Sequence, residues 1–158
     1  MISLFGEETQ TGNSMLHWLI VWLQTDLFLH PQDSIRWNAV WKLKLPNKLK
    51  YFVWLVLHNK ILTNSQRLTI CNIESALCEQ CSNFKETTLH ALRDCINFTK
   101  VWEGINGNID TSCVNITDWI KCNIFLNSYV SNDYLWYMLF CSVIWTIWKC
   151  RNEFIFNS

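Results

Sequence analysis

The sequence predicts a mainly α fold, a small helical domain with an inserted loop–helix element stapled by three cysteines and a histidine. Three observations predict it. Apolar residues recur at helical spacing in several stretches, as at Leu49, Phe52, Val53, Leu55 and Val56. No stretch is strand-rich. The central run CEQCSNFKETTLHALRDC places Cys78, Cys81, His90 and Cys95 in a C-x2-C, eight-residue, H-x4-C pattern. With 158 residues, half of them hydrophobic and ten of them tryptophan, the chain has ample material for one core. Four glycines, two prolines and few charges argue against disorder.

The elements follow in order. Residues 1–33 form a helical lead-in, in which Ser14 opens the apolar run MLHWLIVWLQTDLFLH, ended before Pro31. Its uncharged stretch stops at Asp26, too short for a membrane span. Residues 34–104 form the central domain. Ile35, Trp37, Val40 and Trp41 approximate helical spacing, and Pro46 breaks that pattern and suits the first turn of the next helix. Thr63-Asn64-Ser65-Gln66 fits a capping box, in which hydroxyl and amide satisfy each other's orphan backbone donors. A short helix through Leu68 to Ile70 delivers the chain to the cysteines. Thr87 or Thr88 caps a helix carrying His90, Leu92 and Arg93, which must end near Asp94 because His90 and Cys95 cannot share a straight helical face. Phe98, Val101 and Trp102 continue a further short helix.

Residues 105–158 form a C-terminal helical segment. Gly104 to Asp110 reads as a loop, residues 115–126 as a helix, and Asn132 or Asp133 as the start of the last helix. That helix carries no charge from Tyr134 to Trp148, and fifteen residues fall short of the roughly 20 a span needs, so burial is expected. It packs either within this fold or on a further domain.

Three thiolates and an imidazole make a soft donor set suited to tetrahedral zinc. Two residues between Cys78 and Cys81 let a tight turn aim both sulfurs at one point. With four protein ligands no position stays open for a catalytic water, so Zn2+ is expected as a structural cofactor held by Cys78, Cys81, His90 and Cys95. The net charge is zero, yet no acid occurs from Ser34 to Ile73, where Arg36, Lys42, Lys44, Lys48, Lys50, Lys60 and Arg67 lie. This block reads either as a footprint for phosphate, with aromatics interleaved to stack bases, or as the solvated face of amphipathic helices. Helical spacing places the aromatics in the core.

Eight cysteines without a basic, apolar leader point to an intracellular compartment, nuclear or cytoplasmic, and away from secretion. His17, His30 and His58 are scattered and the acids dispersed, so neither nucleophilic nor two-metal catalysis finds its residues. Neither a membrane nor a small-molecule substrate is implied.

The run WKLKLPNKLKYFVWLVLHNKILTNSQRL, then CEQC, then ETTLHALRDC, resembles the zinc-binding domain that follows the reverse transcriptase in plant non-LTR retroelements. Trp41, Lys42, Pro46, Lys48, Phe52, Trp54, Cys78, Cys81, Glu86, His90 and Cys95 occupy that family's positions. The closing WTIWKCRNEFIF, with Trp145, Trp148, Arg151, Asn152 and Phe156, resembles the segment before an RNase H domain in related plant proteins. The family commonly has proline after the last cysteine, where this chain has Ile96. No polymerase aspartate pair precedes the motif and no RNase H carboxylate cluster follows it, so the chain reads as a retroelement-derived module or fragment. The resemblance implies a non-catalytic zinc module that contacts RNA or DNA. The alternative is a brace for reverse transcriptase or RNase H domains of a parent polyprotein, or a fragment without function.

Overall fold

A computed structural model describes residues 37–105, 112–126, 129–131 and 134–157. The chain divides into two compact units, Met1–Arg36 and Trp37–Ser158, and the described residues belong to the second. The lead-in helix and Arg36 lie outside them. As expected, the fold is mainly helical, with the four zinc-type ligands close together.

Helix α1, Trp37–Lys42, buries Val40 and leaves Trp41 exposed. Pro46 then starts α2, Asn47–Leu57, its carbonyl accepting from the N–H groups of Leu49 and Lys50. Leu49, Phe52, Val53, Val56 and Leu57 form the buried stripe of α2. Asn59 turns the chain in the left-handed region at φ 53°, which asparagine tolerates better than most residues. Helix α3, Asn64–Cys71, is capped by Thr63, whose hydroxyl accepts from the Gln66 N–H at 3.4 Å. Only half of the capping box forms, since the Gln66 amide donates to the Asn59 carbonyl at 3.0 Å instead of returning to Thr63. A nearby carbonyl left by the Asn59 turn outcompetes the local partner.

A π-helical turn, His90–Asp94, leads into α4, Ile96–Gly104, which buries Phe98 and Trp102. The indole of Trp102 donates to the Leu92 carbonyl at 3.0 Å, satisfying an acceptor of that turn. Asn115 caps α5, Ile116–Lys121, with its side-chain oxygen on the Asp118 N–H, and a second π-turn, Cys122–Leu126, completes the helix expected over 115–126. Tyr129–Ser131 (β1) and Tyr134–Leu135 (β2) pair antiparallel. The last helix therefore starts later than its asparagine and aspartate suggest, because the backbone of Tyr134 and Leu135 is bonded across the ladder.

That helix, α6, Trp136–Phe156, is about 31 Å long at 1.5 Å per residue. Its uniform apolarity resolves into one buried stripe of Trp136, Phe140, Cys141, Ile144, Ile147, Trp148 and Arg151, while Met138, Leu139, Phe154 and Phe156 face outward. No helix among the described residues is long and apolar enough to cross a membrane. The N-terminal half of α6 packs into an aromatic cluster. Phe140 meets Trp119 edge-on at 5.0 Å, Trp102 lies 5.8 Å from both, and Trp136 is 6.3 Å from Phe140. Further along, Phe52 of α2 meets Trp145 at 5.1 Å and Trp148 at 6.4 Å. A buried, hydrogen-bonded ion pair, Glu86 with Arg151, closes the C-terminal half against the cysteine-bearing segment.

Replacing fully buried Phe140 by Ala should cost about 3–5 kcal/mol in urea unfolding, from lost apolar contact plus a cavity. Val114→Ala, at a site 90% exposed, should stay within about 0.5 kcal/mol.

Candidate metal centre

Two local structures build the centre. The first is a hairpin over residues 76–86. The Glu86 N–H donates to the Ala76 carbonyl and the Cys78 N–H to the Phe84 carbonyl, both at 2.8 Å. Leu77 pairs with Lys85 between them. At the tip the Ser82 N–H donates to the Cys78 carbonyl at 2.7 Å, and Ser82 takes a left-handed φ of 54°. The turn directs backbone N–H groups of Gln80 and Cys81 toward the Cys78 thiol and those of Asn83 and Phe84 toward the Cys81 thiol, where they favour the thiolate. The Asn97 amide, from α4, holds the Gln80 carbonyl at 3.1 Å.

The second structure is the helical segment bearing His90 and Cys95. Thr87 caps it, its hydroxyl accepting from the His90 N–H at 3.1 Å. The Cys95 N–H bonds to the His90 carbonyl at 2.9 Å, an i to i+5 contact that widens the turn. An α-helix would have turned positions five apart to different faces. The wide turn brings them together, and Cys95, already extended at ψ 127°, leaves it immediately.

All four ligand atoms lie within 4.8 Å of one another. The Cys78 and Cys95 sulfurs are 3.9 Å apart, and the Cys81 sulfur is 3.4 Å from His90 Nε2. Tetrahedral zinc, with Zn–S near 2.3 Å and Zn–N near 2.0–2.1 Å, needs separations of about 3.5–3.8 Å. The donor set fits the ion in chemistry, and its two close pairs, at 3.9 and 3.4 Å, match the separations zinc needs.

Electrostatics point the same way. Burial pushes the Cys78 thiol up to about 12 and raises Cys95 as well. Burial also opposes ionisation of Cys81, but the N–H groups of Asn83 and Phe84 and the neighbouring thiols outweigh it, leaving that thiol below its ordinary value. Burial lowers His90, against the pull of Asp94 and Glu86, so the imidazole is neutral and able to ligate. A bound dication would reverse the penalty on the buried thiolates.

The basic block does not come together as a whole. Lys42, Lys44 and Lys48 are exposed, and Lys50 is half-buried with its ammonium on the Trp41 carbonyl at 3.0 Å. Lys60 is buried, since the turn at Asn59 carries it inward. Arg67 is engaged with Asn64 at 2.9 Å and Glu79 at 3.5 Å, and lies over the Phe156 ring. The aromatics divide too. Phe52 is core, but Trp41 and Tyr51 are 42% and 59% exposed. Trp41, Tyr51 and Trp54 follow one another with centroids 6.1 and 5.9 Å apart, and the His58 ring lies tilted beyond Trp54 at 4.3 Å. At about 100° per residue, Tyr51 falls on the side of α2 opposite the stripe of Leu49, Phe52, Val53, Val56 and Leu57, and burial of that stripe puts Tyr51 in water.

Arg151, Glu86 and Asn64 form a buried network that spacing arguments missed. One signal was available: Arg151 falls on the stripe of Ile144 and Trp148, where a charge must find a partner.

A closed Cys3His cluster seated between a hairpin tip and a short helix defines a zinc-binding module. The profile of the family described as zinc-binding in reverse transcriptase matches residues 15–102, and the chain belongs to that family. It is also similar to the "Putative ribonuclease H protein" of Arabidopsis thaliana, 28% identical over 142 residues, covering 86% of this chain and 22% of that protein. The chain thus spans about a fifth of the relative's length. No solved structure gives a significant match.

Cys81→Ser should release the metal and lower the melting temperature, because zinc contributes on the order of 10–16 kcal/mol of apparent binding free energy in small sites. About one mole of zinc retained with unchanged melting would contradict the ligand set. Ser82→Gly should raise the melting point of the zinc-loaded chain by relieving about 1 kcal/mol of left-handed strain.

Proposed function

We propose that the chain is a non-catalytic, intracellular module of a retroelement-derived reverse transcriptase, in which zinc held by Cys78, Cys81, His90 and Cys95 braces a surface for single-stranded nucleic acid. One observation carries this reading: Trp41 and Tyr51 stand exposed among Lys42, Lys44 and Lys48 on a stretch without acids. Ammonium groups at that spacing neutralise backbone phosphates, and the exposed rings offer faces on which any base can stack. Lys50, holding the Trp41 carbonyl, keeps the two helices in register beneath the rings. Zinc acts as a Lewis acid only with an open coordination position, and four protein ligands leave none. Among the described residues the Cys3His set is the only cluster of three or more metal-ligating side chains.

A second reading rests on the outward apolar side chains of α6, Met138, Leu139, Phe154 and Phe156. They suit contact with the reverse transcriptase or RNase H domains of a parent polyprotein, with the module as a brace.

Affinity for a single-stranded RNA, measured against salt concentration, tests the first reading. Lys48→Ala with Lys50→Ala should weaken binding and lower the salt slope by about one per lost phosphate contact. Tyr51→Ala should lose about 1–3 kcal/mol through stacking. Unchanged affinity and slope, with a protein partner retained instead, would favour the brace.

A further inference from the structure

The family match ends at residue 102, yet the deepest polar contact of the cysteine-bearing segment comes from far beyond it. Glu86 is fully buried and lies between the hairpin and the turn bearing His90. Its N–H closes the hairpin base on Ala76, and its carbonyl accepts from the Ser65 N–H at 3.2 Å. Its carboxylate accepts from the Asn64 N–H at 2.6 Å and from Arg151 Nε and Nη2 at 2.9 and 2.5 Å. The same guanidinium donates to Asn64 Oδ1 at 3.1 Å and to Asn152 at 3.0 Å, and packs 4.8 Å from the Trp148 ring. Asn64 passes the restraint on, its amide donating to the carbonyl of Leu77 at 2.8 Å, the residue before Cys78. One guanidinium on α6 therefore holds both strands of the hairpin that presents Cys78 and Cys81.

We infer that Arg151 is a positioning residue of the zinc centre, so that docking of α6 and zinc loading strengthen each other. The inference rests on the four ligands binding zinc. Without Arg151 the Glu86 carboxylate would be buried with no cation, which drives either its exposure or its protonation. Either outcome frees the hairpin base, and the sulfurs must then be ordered at the expense of metal affinity. Groups outside the ligand shell that orient ligands typically change affinity 10–100-fold when removed. Linkage makes the effect mutual: whatever docking adds to zinc affinity, zinc adds to docking.

The test uses the full chain and competition for zinc against a chromogenic chelator. Arg151→Met should weaken zinc 10–100-fold, and Arg151→Lys should recover part of the loss because it restores charge without the bidentate fork. Val40→Ala controls for general destabilisation; it removes a fully buried side chain of α1, which carries neither a ligand nor a member of the Arg151 network, and should leave zinc affinity within about threefold of the original. Hydrogen exchange on the unaltered chain supplies a readout that needs no variant to fold. Chelating the zinc should speed amide exchange over residues 144–151 of α6. Exchange there that does not change on chelation, or folded Arg151→Met with affinity within twofold of the original, would overturn the coupling. An unaltered chain that takes up no zinc would instead overturn the metal assignment.

Discussion

The carboxylate of Glu86 and the guanidinium of Arg151 meet where three segments distant in sequence converge: the start of α3, the base of the cysteine hairpin and the C-terminal half of α6. Both groups are lost to solvent, so their hydration is replaced by each other, by Asn64 and, for Arg151, by the Asn152 side chain. Such a pair is demanding. It is tolerated when every lone pair and N–H finds a partner, and it fails badly when one member is absent. Around it the remaining contacts are arranged to keep water out, with the Trp148 ring on one side and Arg67 joining Asn64 on another.

Two kinds of cohesion flank this junction. On one side the chain folds around a metal set that is local in sequence, with a hairpin and a π-turn bringing four ligands together. Little apolar burial is available there; Leu77, Phe84 and Ile96 are all exposed. A dication compensates for the missing core. On the other side the cohesion is aromatic, through Trp102, Trp119, Trp136 and Phe140, and joins residues far apart in the chain. Arg93 spans the two, with its side chain over Trp119, its Nη1 on the Cys113 carbonyl, and its backbone in the turn between His90 and Cys95.

The face left over from this packing is the chemically interesting one. α2 must turn Leu49, Phe52, Val53 and Val56 inward, and that choice places Lys48 outward and Tyr51 outward against Trp41. Rings that could have served the core are left in water next to ammonium groups. The arrangement follows from helical geometry once the Phe52 contact with Trp145 and Trp148 is made.

Short-range chemistry was readable along the chain. C-x2-C with a following histidine and cysteine announces chelation because the ligands lie close in sequence, and Thr63, Thr87, Asn115 and Pro46 mark helix starts through groups within four residues. What depends on distant neighbours is not written in local spacing. Lys60 and Arg67 belong by sequence to an acid-free basic block, yet Lys60 is buried and Arg67 is held by Asn64 and Glu79. Trp41 and Tyr51 belong to the aromatics expected in the core, yet stand in water, and Glu86 and Arg151 carry no sign of each other along the chain. A residue's type and spacing state which face it shares with its neighbours along one helix, but the covering of that face is settled by another segment. Burial of a lysine, exposure of a tyrosine and the pairing of charges 65 positions apart are properties of that covering, and they arise only when α2, the hairpin and α6 are packed together.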